Sequence, residues 1–379
     1  MIDFDVLLKV VVDKSASDLF ITAGLPPSIK VSGRMTPMSK TALTPEQSRE
    51  MVHSTMTEAQ IQEFEVEREC NFAIQSQQAG RFRVSAFYQR NAAGMVLRRI
   101  ESYIPTCDEL GLPEVVKKLA MVKRGLIIFV GATGTGKSTS LAALIGFRNQ
   151  NSKGHIITIE DPIEFIHEHA GCMVTQREVG IDTPSFEIAL RNTLRQAPDV
   201  IMIGEIRSEE TMHHAITFAE TGHLCLATLH ANNANQAMDR IINFFPPERH
   251  GQIWLDLALN LKGMIAQQLV PTVDGSGRRA AVEILINSPL ISDLIKKGDV
   301  LSLKELMSKS NEQGMQTFDQ ALYKLYVDNE ITYDAALASA DSANDLRLMI
   351  KLSGDDHARS SPLSTRGLSI ETSDDGLGI

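Results

Sequence analysis

Cysteine is scarce and scattered. Cys70, Cys107, Cys172 and Cys225 never fall at a CxxC spacing, which argues against a cysteine zinc site and against a disulfide framework. Isolated thiols fit a reducing cytoplasm. Aromatic residues make up only 5% of the chain, and 37 Lys and Arg face 47 Asp and Glu, for a formal charge of -10. That argues against a chain held on nucleic acid mainly by its own charge, leaving room only for a local basic groove, and against a translocase with basic, aromatic strand-binding loops. Long apolar runs are missing too. Leu126 to Val130 is far shorter than the ~20 residues of a membrane-spanning helix. The first residues, MIDFDVLLKV, carry acids where a signal peptide carries basic residues. These absences predict a cytoplasmic protein with no direct membrane insertion and no nucleic-acid partner, which meets any membrane through another protein.

What is present reads as globular. Hydrophobic residues are 43% and charged residues 22% of 379, and at roughly 150 residues per domain that length predicts two to three domains. Residues 1 to 100 read as a small α+β domain. Asp5 to Lys14 is a helix candidate, and Leu19 to Thr22 and Ser28 to Val31 are strand candidates. Thr44-Pro45-Glu46-Gln47 and Thr57 to Gln60 are capping-box signatures that predict two helices between 45 and 69. Phe82, Val84, Ala86 and Tyr88 alternate with Arg81, Arg83, Ser85 and Phe87, the period of a half-buried strand. Met95 to Ile100 is its expected hairpin partner, with Asn91 to Gly94 in the turn. Residues 101 to 113 carry two prolines and no periodicity, and are the expected linker.

From 114 to 353 helical segments alternate with apolar strands: Leu126 to Val130, Ile156 to Ile159, Val200 to Ile203 and Leu224 to Leu229. That pattern predicts a parallel sheet covered on both faces. Residues 248 to 350 read as mostly helical. The polar stretch 354 to 379 is an expected disordered tail.

The chemistry lies at the strand ends. Gly131-Ala132-Thr133-Gly134-Thr135-Gly136-Lys137-Ser138-Thr139 fits GxxxxGK[ST] between a strand and a helix, the context of a phosphate-binding loop. Its backbone N–H groups and the following helix N-terminus would hold the phosphates of ATP. Lys137 would reach the β- and γ-phosphates, and Ser138 would offer its hydroxyl oxygen to Mg²⁺. Glu205 follows the apolar Val200 to Ile203 run and is a second Mg²⁺ candidate. Glu160, Asp161 and Glu164 crowd three carboxylates into five residues, which repel unless a cation or donors share the site. One of them is a candidate base for water. His223 enters the fourth apolar strand and His230 leaves it, at the edge where ligands bind. Arg81, Arg83, Arg98 and Arg99 offer cationic charge for a γ-phosphate from another domain or subunit.

Taken in order, GATGTGKST, TIEDPIEF, APDVIMIGEIR and TGHLCLATLHANNA resemble the boxes of the secretion ATPase (GspE/PilT) superfamily, which includes the motors of type II secretion and of type IV pili. SASDLFITAGLPPSIKVSG and RFRVSAFYQRNAAGMVLRRI extend the resemblance to its PilT/PilU retraction branch. The resemblance implies a PAS-like first domain, a RecA-like P-loop NTPase core, a homohexamer with ATP between the two domains, and coupling to an inner-membrane pilus platform protein. It implies that Arg83 and Arg98 reach the γ-phosphate and that Glu205 is the Walker B glutamate. It makes Glu164, with Glu160 as rival, the water-activating acid, and His223 and His230 the histidine pair. Several departures favour the accessory members of the branch over the principal, PilT-type ones. The stretch Ser288 to Gly298 has no arginine, Leu194-Arg195-Gln196-Ala197-Pro198-Asp199 replaces an acidic version, and Phe20 and Ser208 stand where histidine and aspartate are common. A PilT-type ATPase is then an expected partner. Two readings stay open: an active Mg²⁺-ATPase motor for twitching motility, or a ring that docks on its partner with little turnover of its own.

Overall fold

A computed structural model describes residues 4–31, 33–100 and 103–352. The expected tail at 354–379 lies outside them. The chain opens with α1 (Phe4–Asp13), β1 (Asp18–Ile21), β2 (Ser28–Val31) and β3 (Arg34–Pro37), followed by α2 (Pro45–His53), α3 (Glu58–Glu67), β4 (Glu69–Ser76), β5 (Gly80–Gln89) and β6 (Ala92–Arg99). The six strands form an antiparallel sheet in the order β3-β2-β1-β6-β5-β4. Both capping boxes form: Thr44 and Thr57 accept from the backbone N–H of Gln47 and Gln60, whose side chains answer. Leu19, Phe82, Val84, Met95 and Leu97 fill the core under one face, while Arg81, Arg83 and Arg98 project from the other.

The hairpin turn differs from expectation. It is Arg90-Asn91, with φ of 49° and 63°, and Gln89 pairs with Ala92. Two residues with positive φ match the strand twist. Gly94 lies inside β6, because a Cβ there would stand 3.1 Å from Ile21 O and 3.3 Å from the Phe87 ring. It marks a close approach of backbones, not a bend.

The second sheet is built from β7 (Gly125–Val130), β8 (Gly154–Glu160), β9 (Cys172–Glu178), β10 (Val200–Ile203), β11 (Leu224–Leu229), β12 (Leu261–Pro271) and β13 (Arg278–Ile286). Its order is β13-β12-β7-β11-β10-β8-β9. Only β13 runs antiparallel to its neighbour. Every residue of β7, β10 and β11 is buried. On β7, Leu126, Ile128 and Val130 face one core, and Ile127 and Phe129 the other. One core is closed by α4 (Glu114–Ala120) and α5 (Lys137–Asn151). The other is closed by α6 (Phe186–Thr193), α7 (Glu209–Glu220), α8 (Ala234–Asn243) and α9 (His250–Asn260), then by α10 (Pro289–Lys297), α11 (Leu301–Ser308), α12 (Phe318–Val327), α13 (Tyr333–Ser339) and α14 (Ala343–Leu352). The region expected to be mostly helical thus carries six helices around one hairpin, β12–β13, that its local pattern hides. Short apolar runs fit a buried strand as well as a helix, and β12 exists because β7 offers it a partner.

Candidate nucleotide-binding and hydrolysis site

The loop between β7 and α5 is shaped by close approach. A Cβ on Gly131 would lie 2.7 Å from Gln267 O, and one on Gly136 2.8 Å from Gln267 Nε2. Gln267 is buried on β12 and accepts from Ser140 Oγ at 2.8 Å. It therefore braces both ends of the loop. No local signal marks it, because it lies about 130 residues downstream. Lys137 Nζ donates to Gly131 O at 2.6 Å and to Ala132 O at 2.8 Å. Burial pulls its ammonium below the usual lysine range, against the opposing charges of Glu205 and Glu164.

Thr133, Gly134, Lys137 and Ser138 line a cavity of 310 Å³ together with Glu160, Glu164, Glu205 and His230. Gly131, Thr135, Gly136 and Thr139 shape the loop behind it. β8, β10 and β11 deliver the acids and the histidine at their carboxyl ends. Gly204 permits this convergence: a Cβ there would stand 3.1 Å from Glu160 Cα and Ile159 O. Thr228 Oγ donates to Gly204 O and fixes the loop that carries Glu205. His230 Nε2 lies 3.1 Å from Glu205 Oε1. Arg207 Nε donates to Glu205 Oε2 at 2.7 Å, and its Nη1 reaches Asp161 Oδ2 at 3.4 Å. Sequence reasoning passed over Arg207, although an arginine two residues after the acid is its signal.

The rival acids differ in environment. Glu160 is 9% exposed, and burial pushes its carboxyl up to about 7, with Glu164 and Glu178 adding negative charge. Thr158 Oγ and Gln176 Nε2 donate to its Oε1 at 2.6 and 3.1 Å and oppose the shift. Glu164 is exposed at the rim. His167 forms a wall of the same cavity, and burial pulls it down to about 4, so it is neutral. It too was missed.

Three of the sequence-predicted site residues lie outside this cavity within the single chain. His223 stands at the opposite edge of the sheet from His230. Its ring contacts Thr221 Oγ1 at 3.1 Å and Phe218 O at 3.3 Å. The six residues of β11 separate the pair by roughly 20 Å at 3.3 Å per residue. Arg83 and Arg98 also lie outside the cavity. They face each other across β5 and β6, and Arg98 Nε is bonded to Asp18 Oδ1 at 2.8 Å.

Comparisons with known proteins agree with this geometry. Residues 3–324 match the family described as Type II/IV secretion system protein. The chain is 69% identical over 373 residues to the type IV pilus ATPase PilU of Pseudomonas aeruginosa, covering 98% of each. It is 40% identical to the type IV pilus retractation ATPase PilT of the same organism, over 89% of this chain and 98% of that one. The crystal structure of the pilus retraction motor PilT with bound ADP is similar, with a TM-score of 0.87 and 39% identity over 92% of this chain and 100% of that one. Among the described residues no helix is long and apolar enough to cross a membrane. An N-terminal antiparallel sheet, a RecA-like parallel sheet and a phosphate loop facing four acids are here one chain, and that chain belongs to the type II/IV secretion ATPase family.

Proposed function

We propose that this ATPase powers type IV pilus retraction as a hexameric motor of the accessory, PilU-like kind, working at the cytoplasmic face of the inner membrane beside a PilT-type partner and a platform protein. One observation carries the catalytic part: a single cavity joins Lys137 and Ser138 to Glu160, Glu164, Glu205 and His230. Backbone N–H groups from Gly131 to Thr139 cradle the phosphates, and Lys137 turns from its carbonyl partners to the β- and γ-oxygens. The Ser138 hydroxyl and the Glu205 carboxylate are hard oxygen donors on one wall, a set that suits Mg²⁺. When bound, Mg²⁺ would neutralise charge on the transferring phosphoryl group. Glu164 makes no hydrogen bond among the described residues, so both its oxygens are available to take a proton from water. Glu160, with Oε1 tied to Thr158 and Gln176, stands behind it as a positioning group. His230 and Arg207 orient Glu205 from either side. Arg83 and Arg98 act on the γ-phosphate only after the domains, or neighbouring subunits, close.

The test is Mg²⁺-ATPase turnover of the purified full chain and of Glu205→Ala, with particle mass recorded alongside. Turnover lost in the variant, from a six-subunit particle, supports an active motor. No turnover from an intact hexamer would favour a docking ring that needs its partner.

A further inference from the structure

Glu178 is a buried acid that the mechanism above leaves unused. It ends β9, is 4% exposed, and sits between the two domains. Its Oε2 has two donors from opposite sides. Arg81 Nη2, on β5 of the first domain, lies at 3.5 Å, and the backbone N–H of Ile163, inside the acid loop 160–164, lies at 3.4 Å. Both distances are long for a charge-assisted bond. Asp182 Oδ2 anchors the Glu178 N–H at 2.8 Å, so the residue's backbone stays fixed while its carboxylate is shared. Arg81 Nε is buried and makes no hydrogen bond among the described residues. An orphaned buried donor on a half-buried cation is costly and calls for a reason. Burial raises the Glu178 carboxyl above the usual range, opposed by the Ile163 N–H and by the charges of Arg81 and Arg83. Thus the carboxylate faces the same arginine row that the proposed cycle sends toward phosphate.

Resting on that reading of the cavity, we infer that Glu178 is a positioning residue coupling the first domain to hydrolysis: one shared oxygen ties Arg81 on the arginine-bearing strand to Ile163 in the loop that presents Glu160 and Glu164. When the first domain swings, Arg81 takes or releases Oε2, and the acid loop gains or loses its tether. Neither residue touches the phosphate loop, so ATP binding is spared while the chemical step responds.

The experiment measures steady-state ATPase kinetics of the full-length particle for Arg81→Ala, Glu178→Gln and the double variant, with thermal midpoints. A displaced base loses rate rather than affinity, so each single variant is expected to lower kcat about tenfold with KM for ATP within about twofold. The double variant is expected to be no worse than either single one, since Glu178→Gln removes the charge that holds Arg81 and Arg81→Ala removes its partner, so both break the same ion pair. Glu178→Gln is isosteric and keeps the fold if Arg81→Ala does not. A wild-type kcat in Glu178→Gln, a loss confined to KM, or a double variant equal to the product of the singles would overturn the coupling. Lys137→Ala is run beside them. If it is inactive while the Arg81 and Glu178 variants are normal, the coupling alone fails. If it turns over normally, the cavity assignment fails.

Discussion

Two carboxylates, Glu160 and Glu283, are matched in burial and pushed by it to about the same value, 7. They end in different chemistry. Glu283 on β13 is 2% exposed and accepts the N–H of Ala234, the first residue of α8, at 2.8 Å. Around it Asp319 accepts from the backbone of Asp341 and Ser342, and Lys304 Nζ holds Asp341 Oδ2 at 2.8 Å. That cluster joins α8, α11 and α12 to the sheet, and none of its members lines the cavity of Lys137. Glu160 instead borders a cavity shared with Lys137, Glu205 and the unbonded Glu164. A raised carboxyl therefore marks burial. Function is marked by what stands across open space from it.

Variants can break or sharpen this contrast. The largest effect belongs to the cavity: Lys137→Ala should take ATP turnover to background in a phosphate-release assay, because the γ-phosphate loses its cation. Glu164→Gln should cut turnover on the order of 10²-fold or more, as expected for removal of a general base, with ATP binding retained by isothermal titration. At the other cluster, Glu283→Gln should leave turnover within about twofold and raise stability. The sign follows from the raised carboxyl. The folded state holds a proton that the unfolded chain releases, so wild-type stability falls as pH rises from about 4.5 to about 7 and then levels. The glutamine still accepts from Ala234 and escapes that loss. Denaturant unfolding should show a gain of about 2–3 kcal/mol at pH 8 that vanishes below pH 4.5. A gain of the same size at both pH values would refute the account. The smallest effect lies far from either acid: Thr44→Ala removes a capping box and should cost about 1 kcal/mol of stability with kinetics unchanged.

The same contrast explains what was legible in the sequence. β7, β10 and β11 are buried on both faces, so they stand out as apolar runs, and the acids and the phosphate loop follow from their ends. His230 is found by that logic. The same logic puts His223 at the opposite edge, where the strand begins, and only the family resemblance pairs it with His230. Gln267, the brace of the phosphate loop, and Asp18, the partner of Arg98, are set by pairings far apart in the chain, which no local pattern encodes. β12–β13 is hidden for the same reason. Arg207 was visible beside Glu205, but its bridge to Asp161 required the approach of β10 to β8 at Gly204.

The Gln267 brace also sets a clock. The phosphate loop leaves the ribosome early, yet the strand that supports it is made about 130 residues later. At ~5–20 residues per second, the nascent loop waits roughly 6–26 s for its support. Translation intermediates that end before β12 should emerge unable to hold ATP, so nucleotide cannot guide the early stages of this chain's folding.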